Sequence, residues 1–113
     1  MAKPAQSQTV LLGELAHARS GDKGNHANIG VVANSAVEFA HLDRHLTAER
    51  VQQYFAGLGV VRVERFTLPR VQAFNFLLYH ALAGGASQSL RIDTQGKLLG
   101  TAILELELPA LDA

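Results

Sequence analysis

Seven consecutive residues, Arg19-Ser20-Gly21-Asp22-Lys23-Gly24-Asn25, carry most of the chemistry that this chain advertises. Gly21 and Gly24 permit backbone conformations closed to other residues. Consecutive N–H groups in such a segment can converge on an anion. Arg19 can grip a carboxylate or phosphate with two parallel hydrogen bonds, while Lys23 acts as a point charge. Asp22 can orient Lys23 or take a proton from a substrate. Ser20 adds a hydroxyl, and Asn25 and Asn28 add amide donors and acceptors. The pattern is not a P-loop. That motif needs four residues between its glycines, then Lys and Ser/Thr before a helix. Here Gly21 and Gly24 enclose two, and a strand follows. The residues therefore point to an anion or acyl-ligand site at a strand end. The simpler alternative is a wide loop organised by Arg19–Asp22 and Asp22–Lys23 contacts, with its asparagines bonded to backbone.

The histidines offer further chemistry. His17 and His26 flank the glycine-rich segment, and either can act as acid or base; His17 can equally be an inward strand residue. His41 and His45 stand four apart on an expected helix, a spacing that can place two imidazoles on one metal. No carboxylate–histidine motif completes that set. The pair reads as a solvated face opposite Phe39 and Leu46, and no metal or other cofactor is expected. Asn75 falls among apolar residues, so a part-buried amide that ties its element to the glycine-rich segment is expected. Arg91 and Asp93 share one side of a later strand. As a surface pair they contribute about 0–1 kcal/mol, and Arg91 is kept as a binding candidate. His80, Gly84, Gly85, Ser87 and Ser89 lie between.

The elements that must position these groups fit one domain. A chain of 113 residues that is 48 % apolar and 18 % charged is globular in composition. Residues 1–8 are expected to be a disordered polar start, with a single domain over 9–113. Ten basic and ten acidic side chains cancel. That balance offers no field for nucleic acid or an anionic membrane, and it does not oppose self-association. Cysteine is absent, which excludes disulfides, thiolate zinc sites and a cysteine nucleophile. The apolar runs are too short for a signal peptide or a membrane span, so a cytoplasmic location is expected.

Alternation predicts a strand over Thr9–Ala18 and another over Asn28–Ala33. Ser35 with Glu38 predicts a capping box at a helix start, and Val37, Phe39, Leu42 and Leu46 supply its apolar face. Thr47 reads as the N-cap of a second helical piece, ended by Gly57 and Gly59. Val60–Leu68 alternates as a strand stopped by Pro69. Val71, Phe74, Leu77, Leu78, Ala81 and Leu82 recur at helical spacing and predict a helix ended by Gly84-Gly85. Two closing strands, one of them from Lys97 through Leu108, flank a hairpin turn at Thr94-Gln95-Gly96. The order β, loop, β, α(α), β, α, β, β predicts an α+β, ferredoxin-like two-layer sandwich. Its helices cover one face of a mainly antiparallel sheet, and one strand is added or permuted.

Several stretches together resemble one family. LAHARSGDKGNHANIGVVA, LTAERVQQYF, FTLPRVQAFNFLLYHALAGGASQSLRIDTQGKLLG and a closing LEL are similar to the C-terminal, ferredoxin-like domain of the acyclic terpene utilization (AtuA-like) proteins. Arg19 to Gly24 combined with Asn28-Ile29-Gly30 is the most specific part, supported by Asn75-Phe76 and Ser89-Leu90-Arg91. The resemblance implies a link to bacterial breakdown of acyclic terpenes through acyl-CoA intermediates. It implies no catalytic residues. The long family members carry a much larger N-terminal domain ahead of this one.

Three functional readings follow. The first is a small accessory or regulatory subunit of a larger protein resembling that N-terminal domain, acting in acyl-CoA or terpenoid catabolism, with an anion-binding segment at 19–28. The second is a self-contained module that binds a carboxylate or acyl-CoA ligand through Arg19 and Lys23. The third is a small enzyme with Asp22 or His26 as base. The first two are not catalytic by themselves. The candidate binding set is Arg19, Ser20, Gly21, Asp22, Lys23, Gly24, Asn25, Asn28, Asn75 and Arg91. A homo-oligomer, at least a dimer, is also expected, because a one-sided sheet without net charge leaves a face to cover.

Overall fold

The run HANIGVVA forms a strand in which Ala27, Ile29, Val31 and Ala33 are buried and the residues between them are not. That period of two fixes one side of the sheet as core. The structure is a computed structural model that describes residues 9–23, 26–79 and 97–111. Several expectations fall outside the described residues: the disorder of residues 1–8, the roles of Gly24, Asn25 and Arg91, the Gly84-Gly85 helix stop, and the turn at Thr94-Gln95-Gly96 with the strand before it.

The described elements are β1 (Thr9–Leu11), β2 (Ala16–Lys23), β3 (His26–Ala33), α1 (Ala36–His45), α2 (Ala48–Tyr54), β4 (Arg62–Leu68), β5 (Ala73–Tyr79), α3 (Lys97–Ile103) and β6 (Glu107–Pro109). An antiparallel sheet of four strands runs β2-β3-β5-β4. A separate ribbon pairs β1 with β6, Val10 opposite Leu108. Started at β3 and closed from α3 back to β2, the order of the main sheet is β-α-β-β-α-β, with α1 and α2 together filling the first helical place. That is the ferredoxin-like pattern, circularly permuted so that β2 and β3 are joined directly. The expected α+β sandwich with a permuted strand is therefore present, and β1–β6 is an addition to it.

Four local expectations are corrected. The glycine-rich segment is not a wide loop. Its residues form β2 and the start of β3, paired without a break from Ala16↔Ala33 to Lys23↔His26. The strand expected over Thr9–Ala18 is broken by a 3-10 turn at Leu12–Glu14. Leu12 and Leu15 are both buried, and residues three apart cannot share a face of a straight strand. The helix expected from Val71 is strand β5. Phe74, Phe76 and Leu78 point inward, while Asn75, Leu77 and Tyr79 are only half-buried. The strand expected from Lys97 is helix α3 followed by β6, and Leu99 and Ile103, four apart, bury one helical stripe.

Side chains from the strands fasten the helices. Thr47 accepts the Arg50 N–H at 3.1 Å and caps α2 as expected. Ser35 sits at the N-cap of α1, but its hydroxyl donates to the Glu38 carboxylate and caps no backbone N–H. Arg65 reaches from β4 to the C-terminal end of α1, donating to the carbonyls of Asp43 at 3.2 Å and Leu46 at 3.0 Å and to the Asp43 carboxylate at 3.0 Å. A cation there complements the negative end of the helix dipole. At the opposite edge of the sheet, on the same side, Ser20 Oγ accepts the Gly100 N–H at 2.7 Å. A Cβ on Gly100 would lie 3.0 Å from both the backbone nitrogen and Oγ of Ser20. Gly100→Ala should therefore lower the melting temperature. Overpacking and the loss of the Ser20 bond outweigh the roughly 1 kcal/mol gained in helix propensity, for a net cost of about 1–3 kcal/mol.

Candidate functional site

Among the described residues, helices cover only the Ile29 side of the sheet. The other side presents rows of residues set by the register. One row crosses Arg19 on β2, Gly30 on β3, Asn75 on β5 and Phe66 on β4. The next crosses Gly21, Asn28, Leu77 and Glu64, and on the other flank lie His17, Val32, Ala73 and Leu68. Arg19, Gly21, Asn28 and Asn75 from the expected binding set thus share this open face. Ser20 is on the core side, with its hydroxyl taken by α3. Asp22 and Lys23 pair with Ala27 and His26, so Asp22 occupies a register position of opposite parity to Arg19. Lys23, opposite His26, holds a register position of the same parity as Arg19, so the pairing sets Asp22 apart from the two cations of the segment.

At the middle of the face Asn28 Nδ2 donates to Asn75 Oδ1 at 2.5 Å. Asn75 does tie its element to the glycine-rich segment, as expected, but from a strand and not a helix. The bond leaves the Asn28 carbonyl and the Asn75 amide protons to face outward. Beside it lies a shallow depression of about 160 Å³ lined by His17, Ala18, Arg19, Gly30 and Val32. Arg19 is exposed and makes no ion pair among the described residues. Cβ atoms built on Gly21 and Gly30 meet nothing within 4 Å. Across the sheet stand large exposed apolar groups, Phe66 at 44 % and Leu68 at 45 %.

The end of the face nearest His26 holds a cluster that the sequence reading missed. Tyr79 donates its hydroxyl to Glu64 at 2.7 Å. Arg62 pairs with Glu64 at 3.2 Å and lies 4.5 Å above the Tyr79 ring. The His26 and Tyr79 rings are 5.0 Å apart. The hydrogen bond to Glu64, followed by desolvation and the Glu64 charge, raises the Tyr79 pKa above the ordinary tyrosine value, against a lowering by Arg62. The phenol is held as a donor and is a poor base. Only the pairing of Arg62 with Tyr79 across strands could have revealed this group, and reading 73–79 as a helix hid it.

His41 and His45 are not a solvated pair. His41 is 9 % exposed, and its Nε2 lies 2.6 Å from the Pro109 carbonyl oxygen. The two rings are 4.6 Å apart, at the edge of a cavity of about 500 Å³ with Val37, Arg44 and Leu111. Among the described residues no group of three or more His, Cys, Asp or Glu side chains could hold a metal ion.

The profile of the AtuA ferredoxin-like domain matches residues 10–109. The chain belongs to that family. No curated protein matches it, and no solved structure does. The matched span of this AtuA ferredoxin-like domain runs from β1 to β6 and so includes the whole open face. No helix among the described residues is long and apolar enough to cross a membrane.

The Tyr79 environment is testable by titration. In a Tyr54→Phe background, ultraviolet titration should place Tyr79 ionisation above the usual value of about 10. Glu64→Ala should move it down. Because the folded pKa is raised, the associated stability is complete below the unfolded pKa and is lost as pH rises through the folded one. A Tyr79 that titrates alike in both proteins would contradict the assignment.

Proposed function

We propose that this AtuA ferredoxin-like domain is an accessory subunit, a recognition module whose open sheet face is its working surface. It acts beside a larger protein carrying the family's N-terminal domain, in acyl-CoA or terpenoid catabolism. The observation that supports this reading is the open face itself. It combines exposed apolar side chains, an unpaired-off arginine among the described residues and a bonded asparagine pair with outward polar atoms, the mixture of anchors and polar groups found in recognition surfaces. The same face offers no nucleophile–base pair among the described residues, and its Tyr79 hydroxyl is held protonated. Captured from native cell extract, the tagged chain should bring down a larger protein that mass spectrometry identifies by that N-terminal domain. Recovery of the chain alone would overturn the accessory role.

A second reading is favoured by one detail, the depression beside Arg19. Its size suits a carboxylate better than a whole acyl-CoA, with Arg19 gripping the anion above Gly30. Calorimetric titration with short-chain carboxylates and their CoA thioesters tests it. Binding that weakens at least tenfold in Arg19→Gln supports a ligand site. Heats equal to buffer dilution for every compound eliminate it.

A further inference from the structure

Gly21 and Gly30 raise a question that the fold does not answer from within. Both lie inside paired strands, where β-branched residues are favoured. Neither has a positive φ, and an added Cβ at either would meet no atom within 4 Å. The contrast with Gly100, which abuts Ser20, is direct. Nothing inside the described molecule requires a missing side chain at Gly21 or Gly30. A glycine within a strand commonly marks the close approach of another group, and no described residue of the chain supplies that group here.

The same face carries the complementary shape. Its β2–β3 half is low at Gly21, Gly30 and the depression beside Arg19, between the exposed side chains of His17, Arg19 and Val32. Its β4–β5 half is high, with Glu64, Phe66, Leu68 and Leu77. We propose that two copies of the chain pack these faces together about a two-fold axis running along the strands. This rests on the open face being a recognition surface and names its occupant. The rotation places β4 of one protomer over β2 of the other, and β5 over β3. In the register above, Phe66 of one copy meets Arg19 of the second, and Glu64 meets Gly21, within one row of Arg19. Each contact occurs twice, as isologous packing requires. Arg19 thereby gains both a carboxylate and an aromatic face. Zero net charge puts no long-range repulsion in the way. Four strands of about seven residues give a face of roughly 20 by 24 Å. Two such faces bury on the order of 1,000 Å², the size at which an interface becomes specific.

Sedimentation or light scattering over a concentration series reads this directly. The intact chain should have twice its 12.1 kDa mass at tens of micromolar. Gly30→Phe fills the low half without touching the core. It should melt no lower than wild type when both are dilute, yet raise the dimer dissociation constant at least tenfold. Arg19→Glu should do the same, and adding Glu64→Arg to it should restore association. A wild-type monomer at all concentrations overturns the dimer, as does a dimer indifferent to Gly30→Phe and Arg19→Glu. The accessory role is read separately. A monomer that still captures the larger protein leaves that role standing, whereas a dimer that captures none leaves only the proposed self-association.

Discussion

The burial of Ala27, Ile29 and Val31 on one side of β3 is the constraint from which the rest of the molecule follows. β3 is hydrogen-bonded on both edges, so its parity is imposed on β2 and β5, and through β5 on β4. A slip of one residue in any pairing would exchange the two faces of a strand. The price of Ile29 and Phe76 facing the helices is that Asn28, Asn75 and Arg19 must face away. The polar groups of the glycine-rich segment are thus sorted by strand geometry into those that hold the fold and those left to meet something else.

Polar groups on the core side show what the first kind do. Ser20 accepts from α3, and Arg65 binds the last turn of α1 while its guanidinium lies 4.9 Å from the centre of the Phe74 ring. From α2, Tyr54 donates to the Ala102 carbonyl of α3 at 2.7 Å. Burial, with the nearby Glu105 charge, raises its pKa and keeps the phenol protonated. These bonds join helices to sheet and to one another at points where apolar contact alone would leave a helix free to slide. They are satisfied internally and offer little to a ligand.

The fold class was legible because the apolar periods of β3 and the first two helices are strong, and Thr47 marks a start by a local mechanism that needs no tertiary partner. The errors arose where tertiary context overrides local preference. Gly21 and Asp22 are poor strand formers, so the segment read as a loop. The dipeptide Gly24-Asn25 between two short runs was the available signal for a hairpin. In 73–79, Leu77 lies on the open face and interrupts an otherwise alternating pattern, which left Phe74 and Leu78 at helical spacing. An apolar run of this length fits a buried strand or a helix, and periodicity alone does not separate them. His41 was misjudged because Pro109, its partner, is distant in sequence. Of the candidate residues, Arg19, Asn28 and Asn75 lie on one face, whereas no short-range rule could pair Tyr79 with Glu64.

The energetics of the open face run against a purely structural account of its glycines. Each strand glycine costs roughly 0.5–1 kcal/mol relative to alanine, and a Cβ added at Gly30, two residues from the exposed Val32 on the same face, would meet no atom within 4 Å. Stability alone would therefore favour a filled surface. Yet exposed apolar groups of the size of Phe66 and Leu68 contribute little to the monomer and expose it to non-specific association. A surface that gives up stability on one half and accepts apolar exposure on the other is costly twice when considered alone. Set against a complementary surface, both costs become gains: the low half admits bulk, and the high half loses its contact with water. Close packing at such a contact is what separates a specific interface from an adhesive patch. On the proposed pairing of two faces, the glycines are explained by what approaches the strand rather than by the strand itself.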